Sequence, residues 1–393
     1  MKQYINILNT YIFAWCILNA GVITNPSVSV LCLGFLFLVS FFYMFKVFLE
    51  SKNIVISILL IFVLLLSIYG IQFIMSGERL YIAAGEGRFI TNREYLMLIY
   101  QSILPIFPFY YFARHNKLTV ALMQKWILVF FVVVIMSYIK NQYLIISSFG
   151  MSEDGLTNNA GYEFLALFPL ISLCNKNRLI QNILFIVCLI FIIFSVKRGA
   201  IIVGIIAYPW FLLNSSGKSG KSRFKTLLLV GLASVVIYNL FTYLIATNDY
   251  FLMRYEETLD GNTSGRDTIY QSLIHTYTHE STFIQQLFGR GAYGTLKVAD
   301  NVAHNDWLEL LIDLGLFGFI VYFVYWISLI KTWISLKVNK EIYLALGLFV
   351  IIYLSKTFFS MSYSDMPIYS TIVFGYCLAH SQQKKLSTNN MNN

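Results

Sequence analysis

The chain has 393 residues, of which 58% are hydrophobic, 17% aromatic and only 12% charged, against roughly 25% charged in an ordinary soluble domain. That balance excludes a soluble globular protein and points to a polytopic membrane protein. The net charge of +9 does not imply nucleic acid, because the basic residues fall mostly in short segments between apolar runs, where Lys and Arg set membrane orientation.

A membrane-spanning helix needs about 20 mostly apolar residues, and twelve segments meet that criterion or come close. In chain order they are 5–23, 28–49, 54–75, 95–113, 120–146, 159–174, 179–196, 199–213, 226–247, 307–330, 342–360 and 366–381. The first lacks a basic lead and a small-residue cleavage site, so it is expected to remain as a helix. Five cysteines, Cys16, Cys32, Cys174, Cys188 and Cys377, are dispersed through apolar stretches with no C-x-x-C pair, so they read as packing residues. The expected fold is all-α: one transmembrane bundle of about twelve helices over 1–393, with an outer loop at 248–306 carrying short helices and a disordered polar tail at 382–393.

The loops orient this bundle. With the N-terminus inside, the inner segments collect Lys2, Lys46, Lys52, Arg114, Lys117, Lys125, Lys176, Arg178, the cluster Lys218, Lys221, Arg223 and Lys225, then Lys331, Lys337, Lys340, Lys384 and Lys385. Both termini are therefore expected on the cytoplasmic side. One short outer turn breaks the pattern. In "SVKRGA", 195–200, Lys197 and Arg198 sit together where basic residues are disfavoured, which marks the turn as a candidate site.

The cytoplasmic segment "NSSGKSGKSRFK", 214–225, resembles a phosphate loop only superficially. Ser215 stands where the motif needs Gly, and no strand precedes it. A polybasic loop facing anionic lipid is the better reading. In the outer loop, residues from about 266 to 288 read as one amphipathic helix, with Ile269, Leu273, Tyr277, Phe283, Ile284 and Leu287 at helical spacing. "NTS" at 262–264 matches a glycosylation sequon but suits a turn. His275 and His279 have metal-ligand spacing without a third ligand, so a solvated face is expected and no metal is assigned.

Chemistry concentrates in two places. Arg198 is able to clamp phosphate oxygens bidentately at any relevant pH, while Lys197 has the alternative of snorkelling to lipid headgroups. Arg254 and Arg266 lie on the same side, and three converging arginines suit a pyrophosphate. His304 precedes the tenth apolar segment. Its ordinary pKa near 6.5 lets it accept a proton near neutrality, and the helix start behind it disfavours imidazolium. Asn305 or Asp306 is placed to cap that helix.

Taken in order, "SVKRGA", the loop with Arg254 and "SGRD", "LFGRGAYG" and "HNDWLELLIDLGLFG" resemble the signature of the O-antigen ligase and polymerase superfamily, the Wzy- and WaaL-type integral membrane glycosyltransferases. "GLTNNAGYEFLALFPL", 155–170, is similar to an Asn-rich motif found upstream in that family and brings in Asn159 as a candidate contact. The resemblance covers about 150–320. It implies glycosyl transfer from an undecaprenyl-pyrophosphate-linked glycan at the periplasmic face of the bacterial inner membrane, without cofactor, metal or nucleotide sugar. It also implies His304 as the catalytic base, Arg198, Arg266 and Arg254 with Lys197 as pyrophosphate contacts, and Asn305 and Asn159 as further substrate contacts. The partners implied are the lipid-linked donor and acceptor, the bilayer and a chain-length regulator. The family turn is often Ser-Arg-Gly where this chain has Lys197, Arg198 and Gly199, which leaves open which cation meets the substrate. Repeat-unit polymerisation is the leading expectation. Ligation of finished polymer to lipid A core is the alternative with the same donor, and a lipid-linked oligosaccharide flippase is the alternative of another class. For a flippase, Glu163 and Lys356 would be the main intramembrane charges.

Overall fold

The computed structural model describes residues 2–19, 26–82, 88–148, 158–174, 177–215, 220–247, 252–253, 256 and 265–391. Apart from a two-residue antiparallel pair, β1 (Tyr81–Ile82) with β2 (Arg88–Phe89), its regular structure is helical. The helices in order are α1 (Lys2–Asn19), α2 (Pro26–Glu50), α3 (Ile54–Ser76), α4 (Asn92–Ser102), α5 (Ile106–Arg114), α6 (Val120–Ser148), α7 (Ala160–Ala166), α8 (Phe168–Cys174), α9 (Arg178–Phe194), α10 (Arg198–Ser215) and α11 (Gly220–Thr247). They continue as α12 (Arg266–His275), a π turn (Thr276–Glu280), α13 (Phe283–Phe288), α14 (Gly294–Ala299), α15 (Asp306–Asp313), α16 (Gly315–Ser335), α17 (Lys340–Phe359) and α18 (Ile368–Met391). Among the described residues, 7 helices are long and apolar enough to cross a membrane, and Ala160–Cys174 and Arg178–Phe194 are shorter apolar helices. The protein is a polytopic helical membrane protein.

Over their described residues the twelve apolar segments are helical, but three are interrupted. Segment 95–113 divides before Pro105 and 159–174 divides at Leu167. Pro169 has no N–H for an intrahelical bond, and its ring crowds the carbonyl four residues back. The expected span 307–330 divides at Gly315, whose φ of +67° turns the chain between α15 and α16. The span therefore begins at Gly315, and the short α15 lies outside it. Two other expectations change. The single helix over 266–288 is three pieces, because Thr282 and Gln285 form a reciprocal capping box that starts α13 afresh. The tail expected to be disordered from 382 continues α18 to Met391.

The bundle is packed around α5, α8, α17 and α18. Phe349 and Phe374 stack at 4.4 Å between α17 and α18. Gly375 lets α18 press against α5, since a Cβ there would lie 2.7 Å from the Tyr110 amide nitrogen and 3.0 Å from the Ile106 carbonyl oxygen. Large apolar side chains such as Leu31, Leu38, Phe41 and Phe48 stay exposed along α2, as they must on a surface whose solvent is lipid.

Candidate active site

The Lys197 turn is drawn inward by a missing side chain. Gly161 leaves room for Ser195, whose hydroxyl donates to the Ile192 carbonyl at 2.6 Å and accepts the Lys197 amide at 3.4 Å. Contact between Ser195 and α7 brings Lys197 beside Tyr162, with the ammonium 6.0 Å from the centre of its ring. On the same ring, at 5.0 Å, lies the ammonium of Lys356 from α17. Lys356 is 3% exposed, donates to the Asp365 carbonyl at 2.8 Å and pairs with its carboxylate at 2.5 Å. Tyr162 is also within electrostatic reach of Arg266 and Asp365.

Arg266 opens α12 directly after Gly265, whose φ of +73° suits glycine. Helix α12 is docked by Leu273, which is buried with Ala303 and Ile312. This docking carries Arg266 to the His304 turn. His304 itself has φ +51°, a left-handed conformation uncommon for a residue with a side chain. Burial, then the charges of Arg266 and Lys197, lower its pKa to about 4. The imidazole is thus neutral near pH 7, within electrostatic reach of two cations.

Neighbouring residues hold this strained turn. The Ala303 amide donates to Glu309 Oε2 at 2.7 Å, and Thr295 donates its hydroxyl to Glu309 Oε1 at 2.7 Å. Asn305 Oδ1 accepts the amides of Trp307 at 3.0 Å and Leu308 at 3.3 Å, so Asn305 is the helix cap. Asp306 is buried and accepts from Tyr322 at 2.5 Å and from the amides of Ser362 at 2.8 Å and Tyr363 at 3.2 Å. Asp313 accepts the Thr295 amide at 3.1 Å. Burial pushes the carboxyls of Glu309 and Asp313 above the usual range, and for Asp313 the neighbouring charge of Glu309 adds to the effect. The acids at 306, 309 and 313 share one face of α15, and that face anchors loops instead of meeting water.

The structure therefore brings together three of the sequence candidates, Lys197, Arg266 and His304. Arg198 is half-buried at the first turn of α10, and the charge of its neighbour Lys197 reaches Tyr162 and His304, as does that of Arg266. Asn159 stands exposed at the start of α7, while its neighbour Asn158 is buried and caps the Ala160 amide at 3.1 Å. Arg254 and the 262–264 sequon lie outside the described residues. His275 and His279 stack at 4.8 Å, with Glu280 3.4 Å from His275. Among the described residues, no three His, Cys, Asp or Glu side chains are grouped as a metal ion requires. Sequence reasoning missed Tyr162 and Asp365, and it noted Lys356 only as an intramembrane charge. The signal for Lys356 and Asp365 was present: a lysine near the end of an apolar segment with an acid nine residues on.

The model of the family described as O-antigen ligase matches residues 183–323. That segment, 183–323, is similar to the O-antigen ligase family. No curated protein sequence matches the chain. The O-antigen ligase segment contains Lys197, Arg266 and His304, whereas Tyr162, Lys356 and Asp365 reach the same place from outside it. The family supports O-antigen ligase or polymerase-type activity, a glycosyltransferase-like enzyme, and lipid-linked glycan substrates in a membrane setting.

Proposed function

We propose that this protein polymerises undecaprenyl-pyrophosphate-linked oligosaccharide repeat units into O-antigen, capsular or exopolysaccharide at the periplasmic face of the bacterial inner membrane. The observation that carries the reading is the convergence of Lys197 and Arg266 on a neutral His304 beside Tyr162. In this reading the two cations hold the donor pyrophosphate, with Arg198 and Arg254 as further contacts. The acceptor hydroxyl gives its proton to His304 as its oxygen bonds to the anomeric carbon. The carbon–oxygen bond to the lipid pyrophosphate breaks, and that electron pair leaves on the pyrophosphate. Fixed guanidinium and ammonium groups stabilise the charge that builds there.

The electrostatics give the base a natural gate. An imidazole near 4 is a weak base, but an arriving pyrophosphate offsets both cations and raises its proton affinity. His304 then strengthens as a base when the donor is bound. A single base with the leaving group on the opposite face inverts the anomeric centre, and a product that retains the donor's configuration would overturn that step.

The test is His304→Ala in a strain lacking the native gene, with surface glycan resolved by gel. Loss of polymer with single repeat units still attached to the lipid core supports polymerisation. Accumulation of long, unattached lipid-linked polymer assigns the protein as the ligase instead. Normal polymer length and attachment would sink the catalytic role of His304.

A further inference from the structure

We propose that α13 is an interfacial helix that dips into the outer leaflet of the bilayer and seats the His304 side of the protein on the lipid surface. Its amphipathic sense is the reverse of a helix facing water. In "FIQQLF", Phe283, Ile284 and Phe288 are 73%, 69% and 51% exposed, and with Leu287 they occupy one face at helical spacing. Gln286 turns toward protein. The Gln286 side-chain amide donates to the Tyr277 backbone carbonyl at 3.2 Å, and the Gln286 backbone carbonyl accepts the Tyr277 hydroxyl at 3.1 Å. Gln285 closes the cap with Thr282.

A helix that turns glutamine inward and phenylalanine outward is matched to a hydrocarbon environment. Its depth is fixed by close contacts at the head of a membrane span. Gly289 and Gly315 are pressed together, so that a Cβ on Gly315 would collide with the Gly289 amide and one on Gly289 with the Asp313 carbonyl. Tyr69, from the spanning helix α3, donates to the Phe288 carbonyl. The exposed apolar face of α13 continues onto that of α16, through Phe288 against Phe317 at 6.4 Å and on to Ile320 and Phe323. The surface is thus an extension of the face that α16 turns to lipid, and lipid is the occupant the continuity selects.

The experiment uses the full-length protein in phosphatidylcholine vesicles, with Phe283→Cys, Ile284→Cys and, as a polar control on the exposed π turn, His279→Cys. Each carries a nitrobenzoxadiazole label, and labelled wild-type protein gives the blank for native cysteines. Labels at 283 and 284 should be quenched by lipid carrying a shallow nitroxide and protected from aqueous iodide, with the control showing the opposite. Iodide quenching at 283 and 284 equal to that at 279 would overturn the proposal. Protection from both quenchers would also overturn it, and would indicate a protein partner on this face. None of these readings depends on glycosyl transfer.

Discussion

His304 carries opposed demands, because its backbone is strained and its ring is destabilised as a cation. The left-handed φ of +51° costs a side-chain-bearing residue about 1–2 kcal/mol. His304→Gly should therefore unfold at higher temperature than His304→Ala, with both inactive, in a thermal-shift measurement. The pKa of about 4 lies below the ordinary value, so the folded protein favours the neutral ring. The contribution of this group to stability is fully present above pH 6.5 and is lost as pH falls through about 4. For the free enzyme, the acid limb of kcat/KM should lie near pH 4, provided that the other groups remain in place. Arg266→Gln removes one of the charges that lower it, so the limb should move upward in pH while activity at neutrality falls by about 10²–10³. A limb that stays in place would separate Arg266 from the imidazole.

At the scale of elements, α15 is the part that converts a sequence motif into a site. "HND" divides its work by position: the ring of His304 lies within reach of the two cations' charge, Asn305 caps, and Asp306 ties α15 to α16 and to the 360–367 loop. Asp306→Ala would leave the amides of Ser362 and Tyr363 and the Tyr322 hydroxyl buried without their acceptor, each worth about 1–3 kcal/mol. The expected outcome is a marked loss of thermal stability, with Asp306→Asn intermediate because it retains an acceptor oxygen. Gly315→Ala should be as damaging, since it adds strain at φ +67° and a clash with Gly289. The sequence placed a helix here correctly by hydropathy. It could not place the break, because Leu314 and Gly315 look unremarkable in a window average and the left-handed turn is imposed by contact with Gly289. The acids at 306, 309 and 313 carry the same ambiguity, since one charged face reads alike whether water or backbone amides satisfy it.

Across the whole molecule, the site is assembled from distant parts of the chain: Tyr162 from α7, Lys197 from the α9–α10 turn, Arg266 from α12, His304 before α15, and Lys356 from α17. An even number of crossings with the basic segments inside predicts that cysteines introduced at 52 and 337 are labelled from one side of the membrane and one at 275 from the other. Labelling of 275 from the same side as 52 would reverse the expected periplasmic placement. By itself the sequence determined the membrane class and the positions of the apolar segments, and it named three residues that the fold brings within electrostatic reach of one another. It could do so because hydropathy, loop charge and motif order are local properties of the chain. Only the tertiary structure decided that Lys197 and Arg266 both act on Tyr162 and His304, that Lys356 and Asp365 adjoin Tyr162, and that the span beginning at Gly315 leaves α15 outside it. Those outcomes depend on how closely helices approach, at Gly161 against Ser195 and at Gly289 against Gly315, and such close contacts are set by packing across the fold, beyond the reach of local patterns.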